Sequence, residues 1–443
     1  MKQILWFFAL AVLCTAPLIA QNVGSVVDQE VPDVVAVYKN LHRHPELSHH
    51  EVQTSAFLAD QLRKAGYQVT EHVGKYADGS RAYGVVAIMK NGSGPRLLVR
   101  TDMDALPVTE ATGLPYASTV RSKNDAGQDV GVMHACGHDI HMATMVGVAR
   151  AMARLKSQWH GTLMLVGQPS EETIDGAKAM LADHLYQRFG RPDLAIALHD
   201  YPFSAGKVSV VPGYALASST AVDVVMRGVG AHGAAPDTGK DPIMMAGEFI
   251  VALQTVVSRS TPPREPAVIT VGDIHGGTKR NVIPDQVKLE LSVRAYNEKI
   301  RQQLLDGIER EARGVAIGAG VPKDRMPIVT VLANEQTPAM YNDPTLSARI
   351  QKVFVRTFGA ENVIDMTPIM ASEDFGIFGL EDHKIPTVLF WLGADDPAKV
   401  AAANAGGNPL PSLHSPFFQP LPEPTLRTGV TAMTSVALDL LKK

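Results

Sequence analysis

Groups suited to hydrolysis at a metal crowd into two short stretches of this 443-residue chain. The first, His134-Ala-Cys-Gly-His-Asp-Ile-His141, offers a thiol and several imidazoles close together. The second, Gln168-Pro-Ser-Glu-Glu172, offers adjacent carboxylates whose side chains point in different directions. One carboxylate can hold a cation while its neighbour takes a proton from water. That division of labour is what metal-assisted hydrolysis requires.

The elements that must position these groups are legible as alternating apolar segments. Residues 32–66 read as helical, with Val34, Val35, Tyr38 and Leu41, then Ala56, Leu58 and Leu62, at helical spacing on either side of Pro45. Strands over residues 84–89, 96–101, 162–167 and 194–198 alternate with helices over 140–155 and 176–189. A helix over 346–358, a strand over 387–392 and a closing helix over 426–441 complete the pattern. This alternation predicts an α/β sandwich around a mostly parallel central sheet. Asp102 follows the 96–101 strand, Glu171 and Glu172 the 162–167 strand, and His199 the 194–198 strand. His414 lies in the loop region after 387–392, and Cys136 and His138 just precede the 140–155 helix. Functional groups of open α/β sheets gather at the carboxyl ends of strands. Ligand residue types recurring at those ends are not scattered structural histidines.

Between about residues 214 and 332 the rhythm changes. Strand 220–227, helix 242–258, strands 267–275 and 287–294, helix 299–318 and strand 328–332 follow one another. That β-α-β-β-α-β order is ferredoxin-like. It predicts an inserted lid or dimerisation domain over 214–332, with residues 21–213 and 333–443 forming the catalytic domain.

Composition is 45% hydrophobic and 19% charged, with formal net charge −4 and no long run of like charge, so no nucleic-acid partner is expected. The N-terminus differs. Met1-Lys2-Gln3, an apolar run over residues 4–13, and Thr15-Ala-Pro-Leu-Ile-Ala20 read as a signal peptide cleaved near Ala20. The expectation is an exported protein, periplasmic or secreted, free of the membrane after cleavage. An uncleaved anchor and a lipidated Cys14 are the alternatives; the run is short for a span, and Leu13 is bulky for a lipidation motif. Cleavage leaves Cys136 as the only cysteine, so no internal disulfide forms. Its histidine neighbours point to a metal ligand rather than a small buried hydrophobe.

A resemblance becomes specific once the motifs are read in order. Arg100-Thr-Asp-Met-Asp-Ala-Leu-Pro107, Met133-His-Ala-Cys-Gly-His-Asp139, Gln168-Pro-Ser-Glu-Glu172 and Ala197-Leu-His199 come first. Ala231-His-Gly-Ala-Ala-Pro236, Asn281-Val-Ile-Pro-Asp285, Ser372-Glu-Asp-Phe375 and Leu413-His-Ser-Pro416 follow. Together they resemble the amidohydrolase branch of the aminoacylase–carboxypeptidase metallopeptidase family, from about residue 34 to the C-terminus. That branch holds hippurate hydrolases, N-acyl-amino-acid amidohydrolases and plant indole-acetyl-amino-acid hydrolases. Departures from its pattern are Thr101 and Ser170, where alanine is common, and a longer polar loop over 117–130.

The resemblance implies two divalent transition-metal ions, as zinc, manganese, cobalt or nickel. Cys136 would bridge them as thiolate, with His138, Glu172, His199 and His414 completing the set. Thiolate and imidazole donors independently favour transition metals over magnesium or calcium. Glu171 is implied as general base, and His232 as donor to the carbonyl oxygen. Domain closure, or a partner subunit in a homodimer, would bring His232 to the site. Asp102 and Asp104 flank Met103 at a strand end, where either could cap a turn, and Asp102 is expected to orient a ligand imidazole. His134 and His141 read as structural or orienting. Asn281 and Arg294 are expected to hold a substrate α-carboxylate, and Met370 to shape an acyl pocket. The plainer readings are a loop histidine at 232, a solvated arginine at 294 and core packing for Met370 and Phe375. The expected activity is cleavage of N-acyl-amino acids, hippurate-like or N-acetylated. A metallo-carboxypeptidase or dipeptidase acting on short peptides is the alternative. A non-catalytic metal-binding protein would have lost a ligand or base, and none is missing.

Overall fold

The computed structural model describes residues 16–442 apart from residues 125 and 381–383, with side chains from Val23 onward. Residues 1–15 of the expected leader, Cys14 included, lie outside that description. Among the described residues, no helix is long and apolar enough to cross a membrane.

Seven strands form the main sheet in the order Gln68–Lys75, Arg81–Asn91, Gly161–Gln168, Arg96–Asp102, Leu194–Ser204, Thr387–Asp395 and Val208–Ser209. The four middle strands, Gly161–Gln168 to Thr387–Asp395, run parallel. The outer strands add antiparallel edges. Parallel strands covered on both faces must be apolar throughout, and Gly161–Gln168 and Thr387–Asp395 are buried at every position. On one face Val99, Leu163, Ile196 and Val388 meet the helices Ala16–Arg43, His138–Arg154 and Pro422–Leu440. On the other, Leu98, Val166 and Leu389 pack with Met180, Phe375 and Phe378.

Four antiparallel strands make a second sheet, in the order Ala267–Gly276, Gln286–Ala295, Ser218–Arg227 and Ile328–Thr337. Burial alternates along Ser218–Arg227 with period two, as one covered face requires. The helices Pro242–Thr255 and Glu298–Gly318 cover that face, setting Phe249, Leu253, Leu304 and Ile308 over Val222, Val224, Leu289 and Leu291. This is the ferredoxin-like arrangement. The paired short strands Gly213–Leu216 and Met340–Asn342 flank the second sheet where the chain enters and leaves it.

Three expectations need correcting. The 32–66 helix is two helices, Ala16–Arg43 and Val52–Lys64. Glu46, just after Pro45, accepts from the Gln53 and Thr54 amides at 3.1 and 2.8 Å, so the second helix starts afresh there. The 176–189 helix breaks into Gly176–Ala182 and Leu185–Phe189 at His184, whose φ is 60°. The edge strand Gln68–Lys75 escaped notice because its residues are mostly polar and half exposed.

The His138–Arg154 helix is buried at nearly every position because helices flank it on both sides. Gly147 permits that approach: a Cβ there would lie 2.5 Å from Val430 Cγ2 and 3.1 Å from Val34 Cγ2. Gly147→Ala is therefore expected to destabilise the protein by about 1–3 kcal/mol through overpacking, read as a lower midpoint in thermal unfolding by circular dichroism. An unchanged midpoint would show that the helices separate freely.

Candidate active site

The strand Arg96–Asp102 pairs with Gly161–Gln168 as far as Asp102 opposite Gln168. Its pairing with Leu194–Ser204 stops at Arg100 opposite Ala197. Beyond that point Leu194–Ser204 continues on Thr387–Asp395 alone, with His199 opposite Trp391. The unequal ladders open a slot at the carboxyl edge of the sheet. His199 thus sits inside a strand rather than after one, because its parallel partner runs on to Asp395.

The Cys136 turn enters this slot. Gly137 has φ +78°, and a Cβ on it would lie 2.2 Å from Asp200 Oδ1, so only glycine lets the turn seat there. The His414 amide donates to the Ala135 carbonyl at 2.8 Å, which pins the distant loop over the same turn. Cys136 Sγ then lies 3.3 Å from His414 Nε2 and 3.6 Å from His199 Nε2. His414 Nε2 is 3.6 Å from Glu172 Oε2. His138 Nε2 is 3.8 Å from Glu172 Oε1 and 3.9 Å from Glu171 Oε2.

Cys136 belongs to two donor groups, one with His138 and His199 and one with Glu172 and His414; within each, the ligand atoms lie within 4.8 Å of one another. His138 Nδ1 donates to the Asp104 carbonyl at 2.8 Å and His199 Nδ1 to the Asp200 carbonyl at 2.6 Å. A carbonyl only accepts, so each Nδ1 carries a proton and each Nε2 is the ring nitrogen left to face an ion. This is the arrangement that orients metal-binding histidines. Among the described residues, His138 Nε2 and Glu172 Oε1 are buried with no hydrogen-bond partner. Burial and the Glu172 charge push the Cys136 thiol well up. Burial, with Glu373 and Glu172 nearby, does the same to Glu171. Soft donors with orphaned lone pairs in a negative pocket fit divalent transition metals, whose charge would draw off the thiol proton.

A buried network holds the donors. Arg100 donates to Asp102 at 2.6 Å, Gln168 at 2.8 Å, Glu373 at 2.8 Å and Asp374 at 3.1 Å. Asp104 accepts from the amides of Glu171 and Glu172 at 3.1 and 3.0 Å and from Ser48 Oγ at 2.6 Å, so one carboxylate presents both glutamates. Asp102 differs from expectation. Besides Arg100, it bonds to His141 Nδ1 at 2.6 Å, while His138 Nε2 stands 3.7 Å away. It acts on the ligand set through His141, which also reaches Asp200 at 3.2 Å. Burial raises its pKa, but the charges of His138, His141 and Arg100 hold it well below the usual carboxylate range. His134 is buried, and among the described residues neither of its ring nitrogens has a hydrogen-bond partner.

These groups open on a cleft of about 360 Å³ lined by Cys136, Glu171, Glu172, His199, Arg294 and His414 together with apolar side chains. Arg294 reaches it from the second sheet, donating to Ser372 Oγ at 2.8 Å and Ser292 Oγ at 3.2 Å. Among the described residues it has no carboxylate partner. His232 and Asn281 are not brought to this cleft. They lie exposed side by side on the insert, with His232 opposite Val282 and the Gly233 amide bonded to the Asn281 carbonyl at 2.9 Å. Met370 is half-buried and does not line the cleft; its neighbours Ile369 and Ala371 do. Asp104, read as a possible turn cap, accepts from the turn amides of Glu171 and Glu172, whereas the role of Arg100 was missed. A charged residue directly after the apolar Leu97-Leu98-Val99 run, still within the strand, was the available signal for Arg100.

His42 braces the start of the ligand helix. Its ring joins Asp139 at 2.7 Å to Glu110 at 3.1 Å, and Glu110 also accepts from the Ser118 amide at 2.6 Å, tying down the long polar loop. Burial opposes protonation, yet Asp139 and Glu110 raise the His42 pKa from 6.5 to about 9. A raised folded-state pKa stabilises fully below the unfolded value and loses that contribution as pH climbs through the folded one. His42→Gln should remove part of the stability decline between pH 6.5 and about 9. Chemical denaturation across that range measures it, and an unaltered decline would rule His42 out.

Peptidase family M20/M25/M40 matches residues 98–434. The chain is 35% identical over 341 residues to the hippurate hydrolase of Campylobacter jejuni, covering 76% of this chain and 82% of that protein. It is 34% identical over 366 residues to the N-acetyl-L-cysteine deacetylase of Bacillus subtilis, covering 82% and 80%. Among solved structures, the Bacillus subtilis YXEP protein, a dinuclear metal binding peptidase from the M20 family, matches with a TM-score of 0.74 at 26% identity, over 94% of this chain and 99% of that one. The motif order, the α/β architecture and these likenesses agree: this chain belongs to peptidase family M20/M25/M40, as an amide-bond hydrolase of its amidohydrolase branch.

Proposed function

We propose that this chain is an exported amidohydrolase that cleaves N-acyl-amino acids, hippurate-like or N-acetylated, with two divalent transition-metal ions. One observation carries the reading: Cys136 belongs to two donor groups beside a cleft that also holds Glu171 and Arg294. Cys136, His138, Glu172, His199 and His414 would hold the ions, whether zinc, manganese, cobalt or nickel. When bound, such ions polarise the scissile carbonyl and acidify the attacking water. Glu171 takes the water's proton and returns it to the leaving nitrogen. Arg294, braced by Ser372 and Ser292, receives the α-carboxylate. His232 would donate to the carbonyl oxygen after the insert closes, or from a second copy docked through the insert. The exposed outer strand Ala267–Gly276 supports such a homodimer. Export rests on the leader-like residues 1–20.

The reading is tested by stripping the enzyme with chelator, reloading each ion, and assaying N-acetyl-, N-benzoyl- and aminoacyl-amino acids side by side. Glu171→Gln is expected to keep its metal by elemental analysis while losing about 10²- to 10⁴-fold in kcat. Parent-level turnover would sink the mechanism, and preference for aminoacyl substrates would favour a dipeptidase. Arg294→Ala should lose about 10- to 100-fold in kcat/KM on N-acyl-amino acids. The corresponding amides, which lack the carboxylate, should be little affected. Equal losses on both would remove Arg294 from carboxylate recognition.

A further inference from the structure

Ile174 stands two residues beyond Glu172 with φ +54°. A β-branched side chain resists that left-handed backbone, so the position is a true outlier. Ser170, just before the paired glutamates, is left-handed as well, at φ +53°. The surroundings impose this turn. The Ile174 amide donates to the Glu171 carbonyl at 2.7 Å, Thr173 Oγ1 to Asp175 at 2.8 Å, and the Ser170 amide to buried Glu51 at 2.7 Å. Strain held in this way marks places where a side chain must be aimed. Ile174 lines the cleft.

With the metal donors, Glu171, Arg294 and Ser372 set aside, the remaining cleft lining is Ile174, Leu216, Ile369, Ala371, Trp391 and Leu413. The Leu216–Ile369 backbone bridge ties two of these walls together across the chain. Resting on the amidohydrolase reading, we propose that Ile174 is a specificity-determining residue and that the enzyme takes N-acyl-amino acids whose only ionised group is the α-carboxylate. The amide lies at the donor groups and the carboxylate at Arg294. Acyl chain and amino-acid side chain then both face apolar walls. A second charge on either would lose its water without gaining a partner, which such a surface rejects strongly. Benzoyl, aliphatic and unsubstituted groups are accepted on the same ground.

The test compares kcat/KM of the metal-loaded full chain for N-benzoylglycine and N-acetylleucine with that for Nα-acetyllysine and N-acetylglutamate. The apolar pair is expected to lead by about 100-fold or more. Ile174→Gly removes the wall and the strain together, and Ile174→Asn keeps a left-handed turn while offering an amide. Each should cut that lead at least about tenfold without lowering the thermal midpoint. Equal use of ionic and apolar substrates by the parent, or an unchanged lead in both folded variants, overturns the proposal. The parent's own selectivity decides it if a variant does not fold. Failure on every N-acyl-amino acid, with aminoacyl substrates cleaved instead, would overturn the amidohydrolase reading and this inference together.

Discussion

Buried negative charge is the constraint on which this structure turns. Asp102, Asp104, Glu171, Asp200, Glu373 and Asp374 are all nearly inaccessible to solvent at the carboxyl edge of one sheet. Carboxylates so placed are tolerable only beside cations or donors. Arg100 meets three of them and Gln168 a fourth interaction; His141 links Asp102 to Asp200. What those contacts leave unbalanced surrounds Cys136, where orphaned donor atoms of His138 and Glu172 face inward. Cations bound there would neutralise the pocket and add to stability, since donors of this kind are not assembled in the unfolded chain.

The scaffold makes the pocket through mismatch in strand length. The slot exists because Leu194–Ser204 outruns its contact with Arg96–Asp102 while staying paired with Thr387–Asp395. A glycine then lets the Cys136 turn rest on Asp200, and the His414 backbone clips a loop from far along the chain onto that turn. Strand pairing and turn packing thus bring donor atoms from distant parts of the chain within 4.8 Å of one another.

The second sheet contributes differently. Gln286–Ala295 delivers Arg294 into the cleft, where Ser372 of the main body receives it. His232 and Asn281, on the same insert, stay at its surface. One insert thus carries one group seated in the cleft and two exposed away from it.

Much of the chemistry was written in residue order. A thiol and imidazoles in one short motif, and glutamates in sequence, are local facts, and apolar periodicity located most of the elements that carry them. The ferredoxin-like succession was equally local, because each strand and helix declares itself within about ten residues. Other features depended on packing. Asp102 could not be assigned to His141 rather than a ligand from spacing alone, nor could Asp104 be seen to hold two amides. Residues 231–236 and 281–285 read as site motifs, yet their side chains lie away from this chain's cleft, since a motif carries no information about which surface it will face. The left-handed Ile174 was invisible for the same reason: strain at one residue is imposed by contacts made far along the chain. Residue types therefore determined what reaction was available, and tertiary contacts decided which atoms meet, because distance in space is set by strand pairing and packing rather than by position in sequence.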